Sequence, residues 1–266
     1  MPAAHLWIVT RLTVIRLLGV SNLREVNKMH FRPMLLVEET NDKSMMTYLT
    51  DVGTPISIGV YSWLIEGASQ NVLVDAGCPA DFLNSIGFPA KQISTQEAEL
   101  EKTGLTVDDI DLVILTHLHV DHAKDVDKFK NATFVVQKSE LDFAANPHPI
   151  QAGWFVQPPE DRLRIVDGDE EILDGIRVLH TPGHTPGVQS VLIETDQGTV
   201  CLCGQCTILD NVDPPQALKD MGVLAITPGI HTNAMQAYDS LTRIQEAADH
   251  VVALHDMSYR SVESIP

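Results

Sequence analysis

Apolar residues in this chain gather into short runs that end in turn residues, and the pattern predicts strands alternating with helices. Asp111-Leu-Val-Ile-Leu-Thr116 has the length and β-branched content of a buried strand. Residues 132–137, 176–179 and 251–254 read the same way, and residues 56–65 and 71–75 predict a strand pair joined through Glu66-Gly67. Two segments predict helices. One spans residues 138–145. The other spans residues 233–249, where Ala237, Leu241, Ile244 and Ala248 recur at helical spacing and make one apolar stripe. Such a stripe is core, not a cofactor surface.

The loops at the ends of the strands are more informative than the strands themselves. The 111–116 run leads directly into His117-Leu-His119-Val-Asp121-His122. Residues 176–179 lead into His180-Thr-Pro-Gly-His184-Thr-Pro-Gly187, where Pro and Gly force a turn, and residues 251–254 lead into His255-Asp256. Strands that each deliver a histidine to the adjoining loop build a site at one sheet edge, where function concentrates. Imidazole nitrogen and carboxylate oxygen suit zinc, iron or manganese. A solvated histidine turn is the bland alternative, and it does not account for so dense a cluster.

Composition narrows the partners. The 266 residues, 44 % of them hydrophobic, suffice for a sizeable core. A formal charge of −18 argues against nucleic acid and anionic membrane, which would be repelled. No apolar stretch reaches the roughly 18 residues that span a bilayer. Cys78, Cys201, Cys203 and Cys206 are too few and too clustered for a secreted disulfide framework, so a cytoplasmic protein is expected. Cys201 and Cys203 fill one face of a strand, and Cys206 reads as structural ahead of a thiolate ligand. Residues 1–33 carry a net charge of +4 against −22 for the remainder. They read as a basic extension: a dimer element, a flexible tail, or residues upstream of a natural start at Met29 or Met34. Arg11 and Arg16 interrupt its apolar stretch, which spoils it as a signal-peptide core.

The HxHxDH motif, the Thr-Pro-Gly-His loop and the late strand-end histidine together resemble the metallo-β-lactamase superfamily over residues 34–266. The resemblance implies an α/β fold, a four-layer αβ/βα sandwich with metals at one edge between the sheets. It implies that His117, His119 and His184 hold one ion and that Asp121, His122 and His255 hold the other, zinc foremost, with iron, manganese or cobalt open. It also makes Asp75, in the early Asp-x-Gly, a group that orients a histidine ligand. A bare strand-end turn is the alternative for Asp75.

Within the superfamily, residues 180–195, the His255-Asp256 ending and the Tyr61 to Asp75 region look like the N-acyl homoserine lactonase group. The implied activity is opening of a lactone, a small carboxylic ester, by a metal-bound hydroxide, with Asp121 orienting the water or receiving its proton. No G-x-S-x-G elbow suggests a serine route. A thioesterase or other ester hydrolase, an iron-dependent redox enzyme and a non-catalytic metal-binding protein are the competing readings, and a homodimer fits any of them.

Three positions depart from the lactonase pattern. Gln205 stands where the superfamily has an aspartate bridging both metals, which leaves a weaker second metal, a single metal, or a coordinating amide oxygen. Ile208 replaces a substrate-contacting tyrosine. Val188 replaces a frequent second histidine. Residues 143–160 are expected to wall the substrate pocket, through Trp154 and Phe155 above all, unless those rings only anchor the loop.

Overall fold

The computed structural model describes residues 29–266. Most of the predicted basic extension lies outside these residues. Its expected boundary at residue 33 does not hold, because His30 to Pro33 already pair with Trp63 to Glu66 as the start of a long strand.

Among the described residues, twelve strands form two sheets. The first sheet contains β1 (His30–Asp42), β2 (Pro55–Glu66), β3 (Val72–Val74), β4 (Ala90–Gln92), β5 (Leu112–Ile114), β6 (Thr133–Gln137) and β7 (Leu163–Val166), in the order β4-β1-β2-β3-β5-β6-β7. The second contains β8 (Glu170–Leu173), β9 (Ile176–His180), β10 (Gln189–Thr195), β11 (Gly198–Cys203) and β12 (His250–Ala253), in the order β12-β11-β10-β9-β8. Helices α1 (Ala80–Ser85), α2 (Gln96–Glu101), α3 (Val120–Ala123) and α4 (Lys138–Ala145) are interleaved with the first sheet. Helices α5 (Leu209–Val212), α6 (Gln216–Lys219) and α7 (Ala234–Ala247) precede β12.

Alternation along the strands explains the layering. Trp63 and Ile65, Val72 and Val74, and Leu112 and Ile114 meet Val191, Ile193, Val200 and Leu202 of the second sheet in one inter-sheet core. Their neighbours in sequence, Leu64, Leu73 and Val113, point the other way and pack with Leu100 of α2, Ala123 of α3 and Ala144 of α4. On the outer face of the second sheet, Leu192, Cys201 and Cys203 pack against Leu241 and Ile244 of α7. Both faces of each sheet are therefore covered, in the order helix, sheet, sheet, helix. Strands buried on both faces must be apolar at every position, which is why the runs looked continuous and not alternating. Tyr61 and Trp63 belong to the inter-sheet core, where the Tyr61 hydroxyl donates to the Asp256 carbonyl at 3.0 Å.

Strand direction positions the site. β3, β5 and β6 run parallel, as do β11 and β12. The loops after β3, β5, β11 and β12 carry Asp75, the His117–His122 run, Gln205 and His255. Across the sheets, Gln189 N donates to the Thr116 carbonyl at 2.9 Å and its Nε2 to the Leu115 carbonyl at 2.8 Å. These bonds lock the loop after β5 to the start of β10.

Candidate metal centre

The structure brings the predicted histidines together. Ligand atoms of His117, His119 and His184 all lie within 4.8 Å of one another, as do those of His117, Asp121 and His122. His184 Nε2 stands 3.0 Å from His119 Nδ1 and 3.1 Å from His117 Nε2. Nitrogens around a tetrahedral zinc, each about 2.0–2.1 Å from the ion, are about 3.3 Å apart, so His184 Nε2 stands at nearly that spacing from both of the others. His255 joins from the other side, with Nε2 3.9 Å from Asp121 Oδ2 and its ring 5.0 Å from that of His122.

Most of these rings are fixed from behind. His184 Nδ1 donates to the Ile230 carbonyl at 2.7 Å and His255 Nδ1 to the Gly59 carbonyl at 2.9 Å. A carbonyl can only accept, so each ring keeps its proton on Nδ1 and presents a bare Nε2 inward. His122 Nδ1 donates to Asp75 Oδ2 at 2.8 Å, and its Nε2 lies 2.9 Å from Asp121 Oδ2. Among the described residues, His119 Nε2, His255 Nε2 and Gln205 Oε1 are buried without a hydrogen bond. Orphaned buried acceptors cost stability unless something satisfies them, and a divalent cation fits this donor set.

Asp75 does more than end a strand. It sits at φ 60°, a left-handed conformation rare for a residue with a side chain, and is fully buried. Thr116 N and Oγ1 donate to its two oxygens at 2.7 and 2.9 Å, beside the bond from His122. The turn thus holds a carboxylate against the His122 ring. Asp75→Asn is expected to weaken metal affinity by about 10–100-fold, read by chelator competition. Unchanged affinity would show that Asp75 serves the turn alone.

Electrostatics depend on burial and neighbours. Burial lowers His184 and His255 to about 4, and drives His117 and His119 well below the ordinary imidazole value with help from adjacent rings. All four are neutral at pH 7, the form that binds metal. His122 goes the other way: burial would lower it, but Asp121 and Asp75 outweigh burial and lift it to about 10. Burial likewise pushes the Asp121 carboxyl up, but His122 beside it brings it well below the carboxylate range.

An apolar cavity of about 50 Å³ adjoins the cluster, lined in part by Asp121, His255, Trp154, Phe88 and Ile58. Trp154 lines this cavity. Phe155 packs against the His119 ring in a tilted contact, centroids 4.7 Å apart, and pairs with His119 as an isolated β-bridge. Ile208 is buried with Met46, Ile58 and Cys206 and stands behind the cavity wall, not in it. Cys206 lines the cavity in contact with Met46 Sδ at 3.7 Å, and burial raises its thiol far above the ordinary range. Gln205 is fully buried, its Nε2 donating to the Ala237 carbonyl at 3.1 Å, so the amide oxygen is the atom left for a cation. Val188 is fully buried, and His180 Nε2 donates to the Pro186 carbonyl at 3.0 Å within its own loop.

The model of the metallo-β-lactamase superfamily matches residues 58–247. The chain belongs to this superfamily. It is 31 % identical over 192 residues to the N-acyl homoserine lactonase AiiA of Bacillus thuringiensis subsp. kurstaki, covering 66 % of this chain and 74 % of that protein. It is 27 % identical over 173 residues to the N-acyl homoserine lactonase AttM of Azorhizobium caulinodans, covering 60 % and 63 %. Among solved structures, an N-acyl homoserine lactone hydrolase with N-hexanoyl-L-homoserine at its catalytic metal centre superposes with a TM-score of 0.68 at 26 % identity, over 88 % of this chain and 95 % of that one. A quorum-quenching N-acyl homoserine lactone lactonase superposes with a TM-score of 0.69 at 25 % identity, over 89 % and 98 %.

Two acidic residues of this superfamily member carry no signal in the sequence. Glu140 of α4 is fully buried between the two histidine loops. Glu39 of β1 lines the cavity, and burial, with Asp121 adding to it, lifts its carboxyl to about 7. Glu140 looks like an ordinary acid in the first turn of a helix, and Glu39 like one of a pair of acids in an edge-proximal strand.

Proposed function

We propose that this chain is a metal-dependent hydrolase that opens a lactone. The observation that carries the proposal is the convergence of three neutral imidazole nitrogens, with His184 Nε2 3.0 and 3.1 Å from those of His119 and His117, beside an apolar cavity. His117, His119 and His184 would hold one divalent ion, and Asp121, His122 and His255 the other, with zinc the first candidate on donor chemistry. When bound, such ions supply Lewis acidity toward the ester carbonyl and a water acidified toward neutrality.

The chain's own residues do the rest. His184 and His255 are tautomerically fixed and need lose no proton at neutral pH. Asp121, about a quarter exposed at its side chain, faces the cavity and can take the proton of the attacking water. Returning that proton to the ring oxygen as the acyl C–O bond breaks leaves a hydroxy acid. The apolar wall, Trp154 included, offers the substrate's hydrocarbon a surface beside the cluster. The four cysteines are buried and unpaired, which supports a cytoplasmic setting. Among the described residues no helix is long and apolar enough to cross a membrane.

The test is proton release by zinc-loaded protein on γ- and δ-lactones, acyl homoserine lactones, thioesters and simple esters, with and without chelator. Chelator-sensitive turnover confined to lactones supports the proposal, and turnover confined to thioesters replaces it with a thioesterase. Gln205→Asp adds a carboxylate at the site, and a second ion should then bind about tenfold tighter or better. If neither stoichiometry nor affinity moves in calorimetry, Gln205 does not stand at the bridging position.

A further inference from the structure

The cavity beside the metal cluster is lined by apolar side chains, Met46, Ile58, Leu83, Phe88, Trp154 and Ile230 among them. Asp121 and His255 belong to the metal cluster. The polar lining that remains is Glu39 and Asn41. Glu39 is 95 % buried, a costly place for a carboxyl group unless hydrogen bonds offset its lost hydration.

Its position results from a β-bulge. Up to Leu35, the odd residues of β1 that are buried, Phe31 and Leu35, face the inter-sheet core. The pairing with β2 then shifts register between Leu35 and Val37, and Leu36 is the extra residue. One inserted residue reverses the alternation. Val37 consequently packs with Val60, Leu83 and Val120 on the helix-covered face, and Glu39 pairs across the strands with Ile58, itself a cavity residue. Without the bulge Glu39 would point into the space between the sheets. Asn41, two residues on, shares its face, and Asn41 Nδ2 donates to Glu39 Oε1 at 2.6 Å. Among the described residues Glu39 Oε2 takes no hydrogen bond, so the pair presents one held oxygen and one available acceptor to the cavity.

We propose that Glu39, steadied by Asn41, is a specificity-determining residue that accepts a hydrogen bond from an N–H or O–H group on the substrate close to the scissile ester. The inference rests on the lactonase reading for the ester and goes beyond it in naming the second group recognised. A site built to hydrogen-bond a substrate donor discriminates strongly against the analogue lacking it, because the buried acceptor is then left unpaired. An all-carbon lactone would leave Glu39 Oε2 in that state.

The experiment compares pairs of γ-lactones of matched length, one bearing an amide N–H on the carbon next to the carbonyl and the other an alkyl chain there. The matching lactams, which resist hydrolysis, are compared by calorimetric binding to the zinc-loaded protein. The wild type should favour the N–H member by about 100-fold in kcat/KM or in lactam affinity. Glu39→Leu should collapse that ratio to within a few-fold of one. Glu39→Gln, which keeps an acceptor oxygen and the side-chain shape, should retain an intermediate ratio. A ratio near one in the wild type, or a ratio unchanged in Glu39→Leu with metal content intact, overturns the proposal. If no lactone turns over, the lactonase reading fails by itself, and the lactam ratio still decides the role of Glu39.

Discussion

Replacing His119 or His184 with alanine is expected to remove turnover by about three orders of magnitude or more, together with the metal. The two rings meet at one point, His119 Nδ1 and His184 Nε2 at 3.0 Å, although their loops are 65 residues apart in sequence. Losing a group that merely orients a ligand costs about 10–100-fold in metal affinity or activity, and loss of the ligand itself costs more. Without metal, His119→Ala should fold nearly as well as the wild type, whereas His184→Ala also loses the bond to the Ile230 carbonyl and should be less stable by about 1–3 kcal/mol. His180→Ala is the matched control: it sits in the same loop, but its ring meets the Pro186 carbonyl and not the cluster. Metal content by atomic emission and kcat/KM on a lactone would separate the two sites. A His119→Ala protein that kept both metal and rate would exclude the assigned centre.

The architecture was legible where burial is two-sided, because continuous apolar runs such as residues 111–116 admit few structures besides a covered strand. The candidate ligands were legible because they lie at strand ends in dense, short motifs. The rest was hidden for physical reasons. The bulge at Leu36 decides which way Glu39 points, and nothing in the local spelling of Leu-Leu-Val-Glu-Glu announces an inserted residue. The boundary drawn at residue 33 failed for a similar reason. His30 and Arg32 look like part of a basic extension, yet both reach Glu66 across the strand pair, at 2.7 and 3.0 Å, and so belong to the sheet. Trp154 and Phe155 are adjacent aromatics with opposite fates, one on the cavity and one against the His119 ring. Tertiary placement alone separates them.

Glu140→Ala is expected to lose both stability and metal affinity. The Glu140 carboxylate accepts from Leu118 N at 3.0 Å, from Thr185 Oγ1 at 2.6 Å and from Gly187 N at 3.0 Å. Leu118 lies between His117 and His119, while Thr185 and Gly187 flank the turn after His184, so one side chain ties the two ligand loops together. Gly187 permits this closeness, since a Cβ there would stand 2.2 Å from Glu140 N. Burial raises the Glu140 carboxyl above its ordinary value, so its ionised form is held in place against a desolvation cost. Glu140→Ala would strand two backbone N–H groups and a hydroxyl, each a loss of about 1–3 kcal/mol when buried, and a net destabilisation of about 3–5 kcal/mol is expected. Metal affinity of the folded protein should fall as well, by about 10–100-fold, because the loops lose their common register. Glu140→Gln should fall between, as its oxygen still accepts from Leu118 while its NH₂ group faces the Gly187 donor. Ile193→Ala, in the inter-sheet core, supplies the contrast: a similar loss of stability, about 2–5 kcal/mol, with metal affinity unchanged. If denaturant melts and chelator competition placed Glu140→Ala with Ile193→Ala on both axes, the carboxylate would be ordinary core and not the tie that sets the distance between His119 and His184.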